Sequence, residues 1–283
     1  MHQSLVIATF ILLQATTSYS QLTLTPIKSG YHKKQNTNAR TESNLLTLPF
    51  WDDFSFTDGQ VPLDSLWENS ASVYVGDGLA IDPPSIGVAS LDGVNAQGQG
   101  YTGGVTGPTD ALTSCPIDLS GLSTNDEVYL SFYYQFAGNG EAPEESDSLR
   151  VEMRFPDDEE GNAVWVPVWP HGDQLDRTGN FNQVLVRLDS SQFFFNSFQF
   201  RFQSFGRPVG FFDLWNIDYV YMNSGRSMND DNYPDRTIGS PLTRIFDAFT
   251  AIPAKHFVAD QTTTPSYVVT SVADPNDARH PYD

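Results

Sequence analysis

The sequence has one cysteine and an unusually low share of basic residues. Cys115 is the only cysteine among 283 residues, so no disulfide can form within the chain. Cys115 stands before Pro116 at the entrance to a predicted strand, a position typical of a small buried residue rather than a nucleophile. Lys and Arg total 15 against 35 Asp and Glu, which gives a net charge of −20. This charge repels nucleic-acid phosphates and anionic lipids, so the sequence predicts neither nucleic-acid nor acidic-membrane binding.

The usual catalytic motifs are also missing. The sequence contains no HExxH, GxSxG or CxxC pattern, and the only histidine of the main predicted domain is His171. The Gly-rich tract Gly93 to Gly107 lacks the strand and helix that flank a phosphate-binding loop, and it is predicted to be a surface loop. Jelly-roll glycosidases need paired carboxylates about 5 Å apart, whereas the strand around Asp218 carries that carboxylate alone. We therefore predict a protein that is not an enzyme.

Only the N-terminus has a sustained apolar run. Leu5 to Leu13 is too short to span a bilayer, and Ser18-Tyr19-Ser20 provides small residues for cleavage before Gln21. Residues 1–20 are thus predicted to be a signal peptide, and the protein is predicted to be exported to the extracellular space or the outer cell surface, with no transmembrane segment. Residues 21–48 are polar and hold Lys28, Lys33, Lys34 and Arg40, which is typical of a linker or a loosely docked arm.

Alternating aromatic residues mark the C-terminal part of the main predicted domain. Phe198, Phe200 and Phe202 alternate with polar residues, the period of a strand with one buried face. A turn is predicted at Gly206 to Gly210, and a second strand from Phe212 to Met222 with Trp215, Ile217, Tyr219 and Tyr221 on one face. The two strands are predicted to pair as an antiparallel hairpin of a β-sandwich.

Further strands are predicted at Val73–Val75, Ile86–Leu91, Val128–Phe136, Ser148–Phe155, Val164–Trp169 and Val184–Leu188. Almost no segment has a helical apolar period. The prediction is an all-β, antiparallel jelly-roll β-sandwich over residues 49–224.

The character of the chain changes after Ser224. Ser240-Pro241 is typical of a helix start, and a short helix is predicted to about Phe249. Tyr267 to Val272 is predicted to be one strand that finds no partner before Asp283. Residues 225–283 are therefore expected to form a partly structured C-terminal extension, either the start of a second region completed elsewhere or a disordered tail.

The order of these strands resembles a known group of domains. LSFYYQF (130–136), DSLRVEMRF (147–155), Trp165, FQFRFQSFG (198–206) and DLWNIDYVYM (213–222) resemble the MAM and laminin-G-like jelly rolls. The end NIDYVYMNSGR (216–226) is also similar to large secreted proteins of Bacteroidota that use the type IX secretion system. The resemblance covers about residues 50–225 and implies a secreted or cell-surface binding module. It departs from those proteins in showing no C-terminal sorting domain, and from animal MAM domains in lacking disulfides.

Two kinds of binding site are candidates. Calcium commonly ties the termini of a jelly roll together through oxygen ligands, and Asp52, Asp53 and Asp218, with Asp213 nearby, are the candidate ligands. The alternative is that these carboxylates cap loops and accept backbone hydrogen bonds.

A carbohydrate-binding face is the second candidate, because exposed aromatic rings stack on sugars. The rings considered are Trp165, Trp169, Tyr129 and Tyr133, and the alternative is that they belong to the core. The predicted function is a non-catalytic adhesion or ligand-binding module whose partner is a glycan or another surface protein. A carbohydrate-active enzyme or its accessory module, and a structural spacer of a larger surface protein, are the alternatives.

Overall fold

The structure is a computed structural model that describes residues 45–57, 60–68, 70–101, 106–170 and 175–230, Pro253, Lys255 and three short strands nearer the C-terminus. The predicted signal peptide, nearly all of the polar arm, His171 and the predicted helix at residues 240–249 lie outside the described residues.

The described strands, in chain order, are β1 (Phe50–Asp52), β2 (Trp67–Glu68), β3 (Tyr74–Gly76), β4 (Val88–Leu91), β5 (Gly107–Ser114), β6 (Tyr129–Phe136), β7 (Ser148–Phe155), β8 (Val164–Trp169), β9 (Phe181–Arg187), β10 (Phe200–Gly206), β11 (Trp215–Asn223), β12 (Thr237–Ile238), β13 (Thr270–Ala273) and β14 (His280–Tyr282).

Eleven of these strands form two antiparallel sheets packed face to face. The first sheet has the order β3-β4-β11-β6-β9, with β1 also paired to β11. The second sheet has the order β2-β5-β10-β7-β8. From β4 onward the chain changes sheet at almost every connection, as in a jelly roll. The all-β sandwich predicted from the sequence is confirmed.

The core lies between the sheets and is rich in aromatic rings. Trp67 is 1% exposed and contacts Phe50, Phe54, Phe200 and Phe202, with ring centroids 5.1–6.4 Å apart. Edge-to-face ring pairs add about 0.5–1.5 kcal/mol each beyond the burial of their area. The alternating phenylalanines of β10 therefore supply the core from the second sheet, as their period predicts.

The predicted pairing of β10 with β11 is wrong. β10 pairs with β5 and β7 in the second sheet, whereas β11 pairs with β1, β4 and β6 in the first. Both strands carry large apolar residues toward the core, so they contribute to the same core from opposite sheets instead of pairing side by side. Residues 207–214 connect the two sheets as an arch.

The predicted single face of β11 holds for only half of the strand. Trp215 and Ile217 belong to the core, but so do Val220 and Met222, because the pairing with β6 slips between Asp218 and Tyr221. Tyr219, with a φ of 48°, lies in this bulge. The bulge reverses the alternation, so Tyr221 does not face the core.

One interior strand escaped the sequence analysis. β5 spans eight residues, GPTDALTS, and lies between β2 and β10 in the second sheet. Gly107, Pro108 and Asp110 make the segment look like a loop, since these residue types are depleted in strands. Leu112 still points into the core, and Pro108 lies at the strand end, where a missing N–H is tolerated.

The first and last strands of the sandwich are neighbours. Phe50 pairs with Met222 and Asp52 with Val220, so the start of β1 lies beside the end of β11. Arg226 extends this contact, because its buried side chain donates to the carbonyl oxygens of Tyr129 and Tyr221 at 3.3 and 3.1 Å.

The strand predicted at residues 267–272 does have partners. β13 pairs with β12 on one side and with β14 on the other, which gives a three-stranded antiparallel sheet. The prediction of an unpaired strand is therefore wrong, because β12 and β14 lie in segments too polar and too short to show a strand period. No helix in the described part of the chain is long and apolar enough to span a membrane.

Candidate functional site

The outer surface of the second sheet carries an ordered set of charged and aromatic side chains. Leu149, Val151 and Met153 of β7 point into the core, so the residues between them point outward. We call this outer surface the arginine face and define it by Arg150, Glu152, Arg154, Trp165, Arg201 and Phe205.

Arg201 spans three strands of this face. Its guanidinium donates from Nε and Nη2 to Glu152 Oε2 at 2.7 and 2.6 Å, on the neighbouring strand β7. The same guanidinium lies 4.3 Å from the ring centroid of Trp165 on β8. An arginine held over an indole and fixed by a carboxylate loses little freedom when a ligand binds.

A second set of polar contacts continues along the face. Arg154 donates to Gln199 Oε1 at 2.7 Å and to Asp157 Oδ1 at 2.5 Å. Gln199 in turn donates to the carboxylate of Glu68 and to the carbonyl of Ser114. The Arg154 Nε atom is buried and has no hydrogen-bond partner within the described ranges.

The two tryptophans of β8 lie on opposite faces of the sheet. They are four residues apart, so simple alternation places them on the same face. The pairing with β7 slips between Val151 and Glu152, which turns Trp169 inward. Trp169 is 6% exposed and packs on Phe132 and Tyr134 in the core, at 5.3 and 4.9 Å.

The two tyrosines considered as sugar-stacking rings belong to the other sheet. Tyr129 and Tyr133 lie on the face of β6 opposite the core residues Phe132 and Tyr134, and Tyr129 is 4% exposed. The structure therefore does not bring Trp165, Trp169, Tyr129 and Tyr133 together. Trp165 remains on the arginine face, where Arg201 covers one side of its ring.

An open cleft of about 800 Å³ adjoins the arginine face. We call it the β7–β8 cleft, because Ser148 and Arg150 of β7 and Pro167 and Trp169 of β8 line it. Arg177 and the loop residues Glu145 and Asp147 complete its rim. Its volume lies within the range of roughly 300–1,000 Å³ that holds small organic ligands in proteins.

The cations of the sandwich are all arginines. Residues 45–230 contain 27 Asp and Glu, seven Arg and no Lys. Of the seven, Arg150, Arg154 and Arg201 lie on the arginine face and Arg177 lines the cleft, so the few positive charges concentrate on one side of the molecule. The sequence signal for this surface is the alternating Arg, Glu and Gln at the outward positions of β7 and β10.

The candidate calcium ligands of β1 have partners in the protein. Asp52 accepts hydrogen bonds from Trp67 Nε1 at 2.6 Å and from the Phe54 N–H at 2.9 Å. Burial raises the pKa of Asp52 to about 6, although these two hydrogen bonds oppose the shift. Asp53 accepts from the backbone and the hydroxyl of Ser55.

Asp218 is the third candidate ligand and is fully buried. It accepts from Ser85 N at 2.9 Å, from Ser85 Oγ at 2.7 Å and from Tyr219 N at 2.6 Å. Desolvation raises its pKa to about 8, so the carboxyl group is largely protonated at neutral pH. These bonds hold the bulge of β11 to the segment before β4.

Asp213 lies apart from β1, beside Gly206 and Arg207, where it accepts from the Arg207 N–H at 3.0 Å. Within the described ranges no three or more His, Cys, Asp or Glu side chains are grouped to hold a metal ion. Calcium binding stays a prediction.

No protein-family model matches the sequence, and no curated protein sequence is significantly similar to it. Solved structures with a similar arrangement include the CBM22-1 xylan-binding domain of Xyn10C from Paenibacillus barcinonensis, at 13% identity and a TM-score of 0.38 over 63% of this chain and 94% of that chain. The K1 cleaved adhesin domain of Lys-gingipain from Porphyromonas gingivalis matches at 12% identity and a TM-score of 0.34, over 63% of this chain and 99% of that chain. The C-terminal family 22 carbohydrate-binding module of Xyn10B from Clostridium thermocellum matches at 12% identity and a TM-score of 0.31, over 63% and 96%. Similarities of this size assign no ligand to this chain.

Proposed function

We propose that the protein is an exported, non-catalytic module that binds a glycan at the β7–β8 cleft and the adjoining arginine face. The observation that carries this proposal is an open cleft of about 800 Å³ whose walls continue into a sheet surface of fixed hydrogen-bonding side chains. Sugars present many hydroxyl groups, and planar guanidinium, amide and carboxylate groups are their natural hydrogen-bond partners.

The chemistry of this surface favours hydrogen bonding over ring stacking. Trp165 and Phe205 are covered by guanidinium groups at 4.3 and 4.0 Å, so these rings support the arginines instead of lying bare. The proposed ligand contacts are therefore the edges of Arg150, Arg154 and Arg201. Trp165 contributes by holding Arg201 in place.

A glycan array probed with the purified full chain tests this proposal. We expect binding to a defined class of glycans that weakens at least tenfold for Arg201→Ala. The matched control is Arg187→Ala, because Arg187 is half-exposed on the other sheet and pairs with Glu127 and the Thr124 carbonyl there. A folded sample that binds no glycan, or equal losses for the two variants, would contradict the proposal.

Protein–protein adhesion is the second candidate. The arch between β10 and β11 exposes Val209, Phe211 and Phe212, at 60%, 46% and 40%. Neighbouring exposed apolar side chains favour contact with another protein. The test is a double variant, Phe211→Ser with Phe212→Ser. If this variant still binds glycans but no longer adheres to a protein-coated surface, glycan binding and protein adhesion use different surfaces.

Three finer predictions belong with this proposal. Export by a type IX route and membership of the MAM or laminin-G-like group follow from the sequence resemblance alone. Calcium stabilisation through Asp52, Asp53 and Asp218 is tested by melting the EDTA-treated protein with and without added Ca²⁺. An unchanged melting temperature would remove calcium from the proposal and leave glycan binding in place.

A further inference from the structure

Within the described ranges, two of the seven arginines of the sandwich lack a carboxylate partner. The other five form ion pairs: Arg154–Asp157, Arg187–Glu127, Arg201–Glu152, Arg207–Glu144 and Arg226–Asp230. Arg150 and Arg177 form none there, and both line the β7–β8 cleft.

This pairing pattern is informative because carboxylates are abundant. Residues 45–230 hold 27 acidic residues for seven arginines, so most arginines have an acidic group within reach. The two exceptions place two arginines without ion pairs in one concave site, which Glu145 and Asp147 also line. An anionic ligand group is the partner that such a site attracts.

Arg150 has the geometry of a ligand-binding group. Its guanidinium lies over the ring of Phe205, 4.0 Å from the ring centroid, a contact that uses none of its hydrogen-bond donors. It makes no hydrogen bond within the part of the chain that the structure describes. Ser148, two residues earlier on the same face of β7, lies about 7 Å along the strand and also lines the cleft.

Arg177 has a supporting position. Its Nη1 donates to the carbonyl oxygens of Pro143 and Glu144 at 3.1 and 2.9 Å, and its Nη2 to that of Asp147 at 2.8 Å. These bonds use three of its five N–H groups and hold the loop before β7 in place. Arg177 therefore adds positive potential to the cleft while Arg150 offers free N–H groups.

We propose that the β7–β8 cleft binds a carboxylate-bearing glycan, whose carboxylate accepts two hydrogen bonds from Arg150 while Ser148 contacts a neighbouring hydroxyl. This inference rests on the proposed function and names its ligand class. The carboxylate of a uronic acid matches the two-pronged donor edge of a guanidinium, which a neutral sugar does not.

The cleft fits a glycan better than an acidic peptide. β8 is an edge strand, where a peptide could add by backbone pairing, but Pro167 removes a donor from the middle of this edge. Two acidic residues also line the cleft, and they repel an anionic glycan and an acidic peptide alike. Asp147 is 1% exposed and accepts from Glu144 N at 2.7 Å and Ser146 Oγ at 3.2 Å, whereas Glu145 is exposed at the rim.

The test is affinity electrophoresis of the full chain in gels containing polygalacturonate, alginate, hyaluronan or a neutral xylan. The best-bound uronate is then compared with its methyl ester, which has the same sugars without the negative charge. We expect retardation by at least one uronate, at least tenfold weaker binding to its ester, and a similar loss for Arg150→Gln.

Arg150→Lys should retain part of the affinity, because one charge remains without the paired donors. Glu145→Gln should strengthen binding, because it removes a repelling charge.

The controls separate the possible failures. Arg187→Gln removes one positive charge, as Arg150→Gln does, but at a position away from the cleft. This variant should bind the uronate like the unmodified protein. Melting curves of each variant establish that it is folded.

Binding to neutral xylan alone, or uronate binding that Arg150→Gln leaves intact, would overturn the inference while the proposed function stands. Binding of poly-glutamate through Arg150 with no uronate bound would assign the cleft to an acidic peptide, and no binding to any glycan would overturn both proposals.

Discussion

Asp52 illustrates how one buried carboxylate holds the core in place. Its two oxygens satisfy the Trp67 indole N–H and the Phe54 N–H, both in the interior of the sandwich. Trp67 contacts four phenylalanines, so a shift of this ring disturbs both sheets.

We expect Asp52→Ala to lower the free energy of unfolding by about 2–4 kcal/mol, because it leaves two buried donors without a partner. Asp52→Asn keeps one acceptor and should lie between the unmodified protein and Asp52→Ala. Urea denaturation followed by tryptophan fluorescence measures both. Asp118→Ala is the control, since the Asp118 carboxylate bonds its neighbour Ser120 on the surface. Equal stabilities for Asp52→Ala and Asp118→Ala would show that the buried bonds do not support the core.

At the scale of single elements, the bulge of β8 gives two similar residues different roles. Trp165 lies on the arginine face and Trp169 lies in the core, although the sequence spacing places them on one face.

Trp169→Ala should destabilise the protein by about 3–5 kcal/mol, because it empties a core position between Phe132 and Tyr134. Trp165→Ala should cost about 1 kcal/mol, the scale of a lost cation–π contact, and should weaken glycan binding by freeing Arg201. Thermal melting of the two variants compares the stabilities, and the glycan array compares the binding. A larger loss of stability for Trp165→Ala than for Trp169→Ala would contradict the assignment of Trp169 to the core and of Trp165 to the outer surface.

At the scale of the whole molecule, buried acids set the pH dependence of stability. Desolvation raises the pKa of Asp218 to about 8, of Asp92 to about 7, and of Asp52 and Asp110 to about 6, all from 3.8. Asp110 is a further cause for Asp92, because a second carboxylate disfavours the charged form. Each group binds its proton more tightly in the folded state, so its contribution is greatest at acidic pH and declines as the pH rises toward its folded pKa.

We therefore expect the free energy of unfolding to fall as the pH rises from about 4 to about 8. The slope is about 1.4 kcal/mol per pH unit for each proton that only the folded state retains. The surface residues Asp118, Asp158 and Asp176 act in the opposite direction below pH 4, because hydrogen bonds lower their pKa values. Asp218→Asn should flatten the curve between about pH 6 and 8, and urea titrations across this range measure it. An unchanged slope in Asp218→Asn would show that Asp218 titrates alike in the folded and unfolded states.

The sequence was most informative where a pattern is local. The periods of β7 and β10 come from alternating side chains, and the structure has strands there. The pairing of β10 and β11 could not be predicted in this way, because a strand period is the same whether the neighbour lies in the same sheet or across the core. The bulges in β8 and β11 could not be predicted from the sequence either. One extra residue in a strand changes the face on which the following side chains lie, but it leaves the composition of the strand unchanged.

The candidate site was visible only in part. Trp165 was identified from its residue type, but Arg150 and Arg201 were not identified as binding residues. Their significance depends on which arginines find a carboxylate in the folded protein, and ion pairs such as Arg201–Glu152 join residues 49 positions apart. A sequence shows how many charges a chain has, whereas the fold decides which of them remain unpaired.

The pairing of β1 with β11 has a mechanical consequence. Because Phe50 lies opposite Met222, the chain enters and leaves the sandwich at the same end of this strand pair. A pulling force applied through the two flanking segments would first load the backbone bonds of Leu46 to Pro116 and Asp118. It would then separate β1 from β11 by breaking their backbone bonds one after another instead of shearing them together. The module would yield at β1 under low tension while the β7–β8 cleft, built from strands outside this pair, stayed intact.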